Sequence, residues 1–411
     1  MNAIVEQPRL GFTERLTQRA NLKHTRYGWL RLTPAYSVHL VADLLTEYDL
    51  RDGVVLDPFC GTGTTALVCA ERGIRADTTD INPFLVWLAR TKCAVYSASD
   101  LEAFARLAAK VLTAALNGGE AWIPPIHEIE KWWDAETLNL LGRCMDRIRT
   151  LPDGAAATNL LKIVFCRVMI EAANVSFGHQ SMSFKAPPEP TLFHDKHSDF
   201  EASWARATKD VSEAARSPIL SEVRVLLNDA RCADAKLARA HYDSVITSPP
   251  YPNRMSYIRE LRPYMYWLGF LASGRQAGEL DWEAIGGTWG CATSNLQKWS
   301  ANESADIPFP DFERIVQNIC ARSGVLGIYV QKYFHDMWQH VRSLERVVKP
   351  GGQVNYIVGN SKFYTVLLPV EQIFAAMFRA AGFVSVEVRT LRKRTSKKEL
   401  FEYLVSGTKL P

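Results

Sequence analysis

A strand, a glycine-rich turn, a helix and a second strand follow one another within residues 53–80, and this order leaves few folds open. Gly53-Val-Val-Leu-Asp57 reads as a short buried strand and Thr64 to Arg72 as a helix. Ile74-Arg-Ala-Asp-Thr-Thr-Asp80 is the next strand, and Pro83 to Cys93 another helix. Strands joined through helices run parallel, because a tight hairpin reverses the chain and a crossover does not. The expectation is an α/β fold, Rossmann-like, with a doubly wound and mostly parallel sheet that binds ligands beyond the carboxyl ends of its strands. The pattern resumes at Val223-Arg-Val-Leu-Leu-Asn-Asp229 and at Asp243 to Thr247. It continues through a helix near 328–348, the Lys349-Pro-Gly-Gly352 turn and a strand from Gln353 to Val358. After a helix from Val370 to Ala381, the runs Val384 to Leu391 and Leu400 to Val405 read as a closing antiparallel hairpin.

Other segments interrupt this plan. Residues 97–221 carry helical periodicity in 100–117, 133–150 and 155–173, a largely helical insertion that suits a lid or target-recognition region. Residues 270–325 read as a second, loop-rich insertion, and residues 1–30 as a polar, basic arm. That leaves 31–96 and 222–411 as one catalytic domain. With 47% hydrophobic and 22% charged residues the composition is that of an ordinary globular protein. No apolar run nears the roughly 18 residues of a membrane span, and the N-terminus lacks the build of a signal peptide. The eight cysteines have no Cys-x-x-Cys spacing, so neither a metal site nor a disulfide framework is expected. A cytoplasmic location follows. The net charge of +4 permits a polyanionic partner without demanding one.

Two loops carry the chemistry. Asp57-Pro-Phe-Cys-Gly-Thr-Gly-Thr-Thr-Ala66 holds Gly61-x-Gly63-x-x-Ala66, formally a dinucleotide fingerprint. Asp57 argues against a pyrophosphate, which a carboxylate would repel. The same carboxylate suits an ammonium and a sulfonium, as in S-adenosylmethionine. In the second loop the run from Ser244 ends at Thr247-Ser248-Pro249-Pro250-Tyr251. Two prolines cannot continue a ladder, so they pin the turn and display a hydroxyl and an aromatic ring at the sheet's ligand edge.

These strings resemble the donor loop and catalytic tetrapeptide of the S-adenosylmethionine-dependent DNA amino-methyltransferases, of N4-cytosine and N6-adenine type. The leading Ser248 is most similar to the N4-cytosine-specific enzymes. The resemblance covers about residues 30–95 and 222–408. It implies a class I methyltransferase fold and methylation of a cytosine N4 in a specific double-stranded DNA sequence. An N6-adenine enzyme, an RNA guanine-N2 enzyme and a non-catalytic DNA-binding subunit stay open as alternatives. C5 methylation is excluded, since it uses a Pro-Cys turn and no cysteine here follows a proline.

By this resemblance Asp57, Phe59, Gly61, Gly63 and Thr64 form the donor loop. Thr33 and Pro34 line the methionine end, and Asp80 bonds the ribose unless it caps the next helix. Ile81 and Asn82 flank the adenine. Asp229 accepts from the adenine amino group, or serves only a turn. Ser248 and a carbonyl held by Pro249 and Pro250 accept hydrogen bonds from the target amine, while Tyr251 stacks on the base. A base inside a duplex must be extruded to reach such a pocket. Phosphate contacts are assigned to Arg259 and Arg262 and to the hairpin tip, with Arg392, Lys393, Arg394, Lys397 and Lys398. Partners are double-stranded DNA and a cognate restriction endonuclease, with location at the nucleoid through DNA.

Overall fold

The computed structural model describes residues 16–17, 21, 25–30, 32, 35–176, 183–184, 195–288, 291–300, 306–394 and 399–411. The strands of its main sheet are β1 (Val54–Asp57), β2 (Arg75–Asp80), β3 (Val223–Leu227), β4 (Tyr242–Thr247), β5 (Val348–Gly359), β6 (Phe383–Lys393) and β7 (Phe401–Lys409). They form one seven-stranded sheet in the order β6-β7-β5-β4-β1-β2-β3. All neighbours pair in parallel except β7, which runs antiparallel to both β5 and β6. From β1 the chain winds outward to β2 and β3, then returns to lay β4 on the other side of β1. Direction thus reverses between β1 and β4, and the crevice at such a switch point is where ligands bind. The two motif loops leave the ends of these two strands.

Helices α1 (Val38–Glu47), α2 (Thr64–Glu71) and α3 (Pro83–Cys93) flank the first strands. The insertion contains α4 (Ala98–Leu116), α5 (Ala135–Arg149), α6 (Ala156–Glu171) and α7 (Lys196–Ala215); sequence periodicity had marked the first three. Its core is continuous with that of α3 and of α8 (Tyr257–Trp267), the helix after the Ser248–Tyr251 loop. Trp267 sits at the junction, its ring centroid 5.3 Å from Phe165, 5.7 Å from Trp133 and 6.0 Å from Trp122.

The stretch 270–325 has helices among its loops. It holds α9 (Gly274–Glu283), α10 (Cys291–Leu296) and α11 (Phe312–Cys320), and α11 buries Phe312, Val316 and Ile319 at helical spacing. Then come α12 (Gly324–Val347) and α13 (Val370–Ala380). The supposed N-terminal arm is also built in at its C-terminal end. Arg26 is 1% exposed, and its guanidinium donates to the carbonyls of Lys92, Ala94, Ala214, Ala215 and Ser217. It thereby satisfies the orphan carbonyls where α3 and α7 end. Trp29, Leu30 and Leu32 follow it into the core. No helix among the described residues is long and apolar enough to cross a membrane.

Candidate active site

β1 and β4 are adjacent, with Val55 opposite Ser244 and Leu56 opposite Val245. Their outgoing loops therefore face each other across one cleft of about 560 Å³. Phe59, Cys60 and Gly61 line it from one side, Ser248 to Tyr251 from the other, with Asp80, Ile81 and Asn82 at the end of β2.

On the donor-loop side Gly61 turns with φ 51° and its N–H donates to Asp80 Oδ2 at 3.0 Å. Asn82 N–H donates to Asp80 Oδ1 at 2.9 Å. Burial pushes the Asp80 carboxyl up to about 6, against the pull of these backbone bonds. Capping of α3 falls to Asn82, whose side chain accepts from Phe84 N–H at 3.0 Å, leaving Asp80 facing the cleft. Asp229 lies two residues beyond the end of β3, also at the cleft. Its carboxylate is gripped by Arg231, at 2.7 Å from Nη2 and 3.0 Å from Nε, and it caps the 3₁₀ turn Ala230–Ala235.

Three donor-loop assignments need correction. Asp57 is 0% exposed and does not line the cleft. It accepts from Thr247 Oγ1 at 2.5 Å, Phe59 N–H at 3.1 Å and the Tyr36 hydroxyl at 3.2 Å, and burial pushes it up to about 7. Its role is to tie the ends of β1 and β4 together beneath the cleft, not to face an ammonium group. Gly63 is buried as well, with φ 78°. A Cβ there would lie 3.1 Å from Ala89 Cβ, so this glycine serves the close approach of α3. Thr64 is buried with its hydroxyl 3.2 Å from that of Thr62. Thr33 and Pro34 lie outside the described residues.

Sequence reasoning also missed supports. Lys92, 1% exposed, donates from Nζ to the Thr62 carbonyl at 2.9 Å and pins the glycine loop from below; burial lowers it to about 8. Leu16, Thr17 and Tyr36 from the N-terminal segment complete the cleft wall.

On the opposite wall the Ser248 hydroxyl donates to the Ile357 carbonyl at 3.1 Å. With its proton committed to β5, the Ser248 oxygen presents lone pairs to the cleft. The Tyr251 hydroxyl is 3.4 Å from the same oxygen. Tyr333 on α12 donates to the Pro250 carbonyl at 2.7 Å, a second brace for the turn that no local motif announced. The Arg394 guanidinium stands 5.7 Å from the centre of the Tyr251 ring. Gly359 makes room for both, since a Cβ there would meet the Tyr251 ring at 3.0 Å and Arg394 at 3.1 Å.

Arg392 forms a two-pronged pair with Glu402, at 2.6 and 2.7 Å, and both line the cleft with Arg394. β6 runs parallel to β4, so the hairpin tip emerges at the same sheet edge as Ser248. Lys393 is exposed, while Lys397 and Lys398 lie outside the described residues. Arg259 is exposed on α8. Arg262 is a correction: it is turned inward, its guanidinium 5.4 Å from the Trp132 ring, and burial lowers its pKa. A group committed to that interface is not a phosphate ligand.

A sheet with this strand order, with paired loops at its switch point, defines the class I methyltransferase fold. Residues 18–90 match the model of the N6/N4 methyltransferase family, described as a DNA methylase. The chain is similar to the Type II methyltransferase M.BsoBI of Geobacillus stearothermophilus, at 22% identity over 451 residues, 97% of this chain and 87% of the relative. It is 21% identical over 410 residues to the Type II methyltransferase M.AvaI of Nostoc, 89% of this chain and 80% of that one. Among solved structures, TrmN from Thermus thermophilus aligns with 95% of this chain at a TM-score of 0.34 and 13% identity, and the chain spans 53% of its length. The rRNA methyltransferase AviRa from Streptomyces viridochromogenes aligns with 92% of this chain and 87% of its own at 0.30 and 14% identity. At those scores the fold assignment rests on the sheet order itself. The family match covers the segment that holds the glycine loop and the end of β2, and there the chain is similar to the N6/N4 amino-methyltransferases.

Proposed function

We propose that this protein is an S-adenosylmethionine-dependent DNA methyltransferase that modifies N4 of cytosine in a specific double-stranded sequence. The observation that carries the reading is the single cleft shared by Gly61 and Asp80 on one wall and Ser248 to Tyr251 on the other. Its volume and largely apolar lining, with Phe59, Ile81 and Leu85, fit an adenosine-sized ligand and an extruded base. When bound, S-adenosylmethionine supplies an electrophilic methyl group on a sulfonium.

The chain's own residues do the rest. Asp80, at the end of β2, accepts from the ribose hydroxyls, and Ile81 and Phe59 enclose the adenine. The Ser248 oxygen and a carbonyl of the proline turn accept from the two hydrogens of the target amine. That draws the nitrogen lone pair out of the ring and toward the methyl group. Tyr251 holds the base by stacking, and the fixed turn aligns nitrogen and carbon for direct transfer, in which the N–C bond forms as the C–S bond breaks and the methylated amine sheds one proton to solvent. Ser248, in place of the Asp or Asn usual in adenine enzymes, supports cytosine as the target. Arg259, Arg392, Lys393 and Arg394 are the proposed contacts to flanking phosphates. A cognate restriction endonuclease is the proposed functional partner.

The test is product chemistry. DNA and RNA incubated with labelled donor and digested to nucleosides should give label in N4-methylcytosine from DNA. Label in N6-methyladenine, in an RNA guanine, or nowhere would contradict the assignment.

Donor affinity should depend on pH through Asp80. The ionised carboxylate accepts from ribose, so affinity is full well above the Asp80 value of about 6 and falls as pH drops through that value. Titration calorimetry between pH 7 and pH 5 should register this fall. Asp80→Asn should bind weakly and without that slope; a native-like affinity in Asp80→Asn would remove the ribose role.

A further inference from the structure

Directly after β5, Ser361–Phe363 and Val366–Leu368 pair into a short hairpin with Tyr364 and Thr365 as its two-residue loop. Tyr364 has φ 54°. In two-residue hairpin loops that position belongs to Gly, Asn or Asp, because a bulky side chain is strained there. The sequence keeps an aromatic where a glycine would cost less, and the ring is not buried in compensation. Tyr364 is 58% exposed, and Leu367 beside it is 42% exposed.

The base of the hairpin, by contrast, is fixed. Phe363 is 5% exposed with its ring 6.2 Å from that of Tyr329, Leu368 is fully buried, and Lys362 is paired with Glu399. Tyr329 also accepts from Arg254 N–H at 3.4 Å, so one side chain anchors both the hairpin and the loop that follows Tyr251. Arg254 is exposed and is itself left-handed, with φ 62°. Gly359, in contact distance of the Tyr251 ring, is five residues before Tyr364, which bounds their separation at about 17 Å. A rigidly based, strained aromatic tip thus follows β5 at the sheet edge that carries the proposed base pocket, no more than about 17 Å from Gly359.

We propose that Tyr364 is a wedge that enters the DNA duplex at the step from which the target base is extruded. This inference rests on the DNA methyltransferase reading above. The ring takes up stacking that the departing base gives up, while Arg254 meets a flanking phosphate. Apolar side chains inserted between base steps do this work in other DNA-bending proteins. The contribution is therefore made to base extrusion, not to methyl transfer or donor binding.

The test compares the native chain with Tyr364→Ala and Tyr364→Phe on two substrates. One is a matched duplex, and the other carries the target base opposite an abasic site, where extrusion is already favoured. Tyr364→Ala should lose about tenfold or more in methylation rate on the matched duplex, recover on the abasic duplex, and keep native donor affinity. Tyr364→Phe should behave as the native chain. Equal rates for Tyr364→Ala and the native chain on matched DNA overturn the wedge, as does an equal loss on both substrates. Absence of label from the native chain on either DNA overturns the methyltransferase reading, and the wedge with it.

Discussion

Ser248→Ala should lower turnover by about 10²–10³-fold while leaving donor affinity unchanged, the magnitude of removing one preorganised hydrogen-bonding group from a reacting centre. The asymmetry follows from the geometry. Ser248 Oγ is held by the Ile357 carbonyl on β5 and lines the cleft opposite Asp80 and Gly61, the proposed donor contacts. Pro249 and Pro250 preserve the turn when the hydroxyl is removed, so the variant loses an acceptor and not a loop. Single-turnover rates on DNA measure the first quantity, and calorimetry with S-adenosylhomocysteine the second. Native turnover in Ser248→Ala would remove the proposed role of this residue. A parallel loss of donor affinity would instead make it part of the donor wall.

The largest effect on stability is expected at Trp267. It is fully buried at the meeting point of α8 with the helical insertion, and Trp267→Ala should cost about 3–5 kcal/mol in denaturant unfolding. Its indole Nε1 has no hydrogen-bond partner among the described residues, so Trp267→Phe should lose much less. If Trp267→Ala unfolds within about 1 kcal/mol of the native chain, the insertion and α8 do not share a core as described. The same substitution tests whether 97–221 can be treated as a separate module, which the continuous packing around this ring opposes.

Local pattern was enough to read the sheet and its ligand edge. The β-branched runs, the glycines and the proline pair each mark a strand end within a few residues. Chain order alone then puts the loops after β1 and β4 at a switch point. Orientation of individual side chains was less accessible. Asp57 precedes the glycines as a ligand-facing carboxylate would, yet it belongs to a strand buried at every position, and its carboxylate turns under the loop. Arg262 did carry a usable signal, since helical spacing sets it near Ile258 and Met265, both buried. Lys92 and Tyr333 reach the site from 30 and 83 residues away from Thr62 and Pro250, and no local spacing announces such contacts. The helices in 270–325 were hidden by a Trp- and Gly-rich composition that resembles loop.

Diffraction from crystals grown with S-adenosylhomocysteine tests the central claim most directly. The account predicts ribose hydroxyls on Asp80, the adenine against Ile81, and the sulfur pointing across the cleft toward Ser248 and Pro249. Ligand density away from Asp80, or a sulfur directed away from the Ser248–Tyr251 turn, would contradict it.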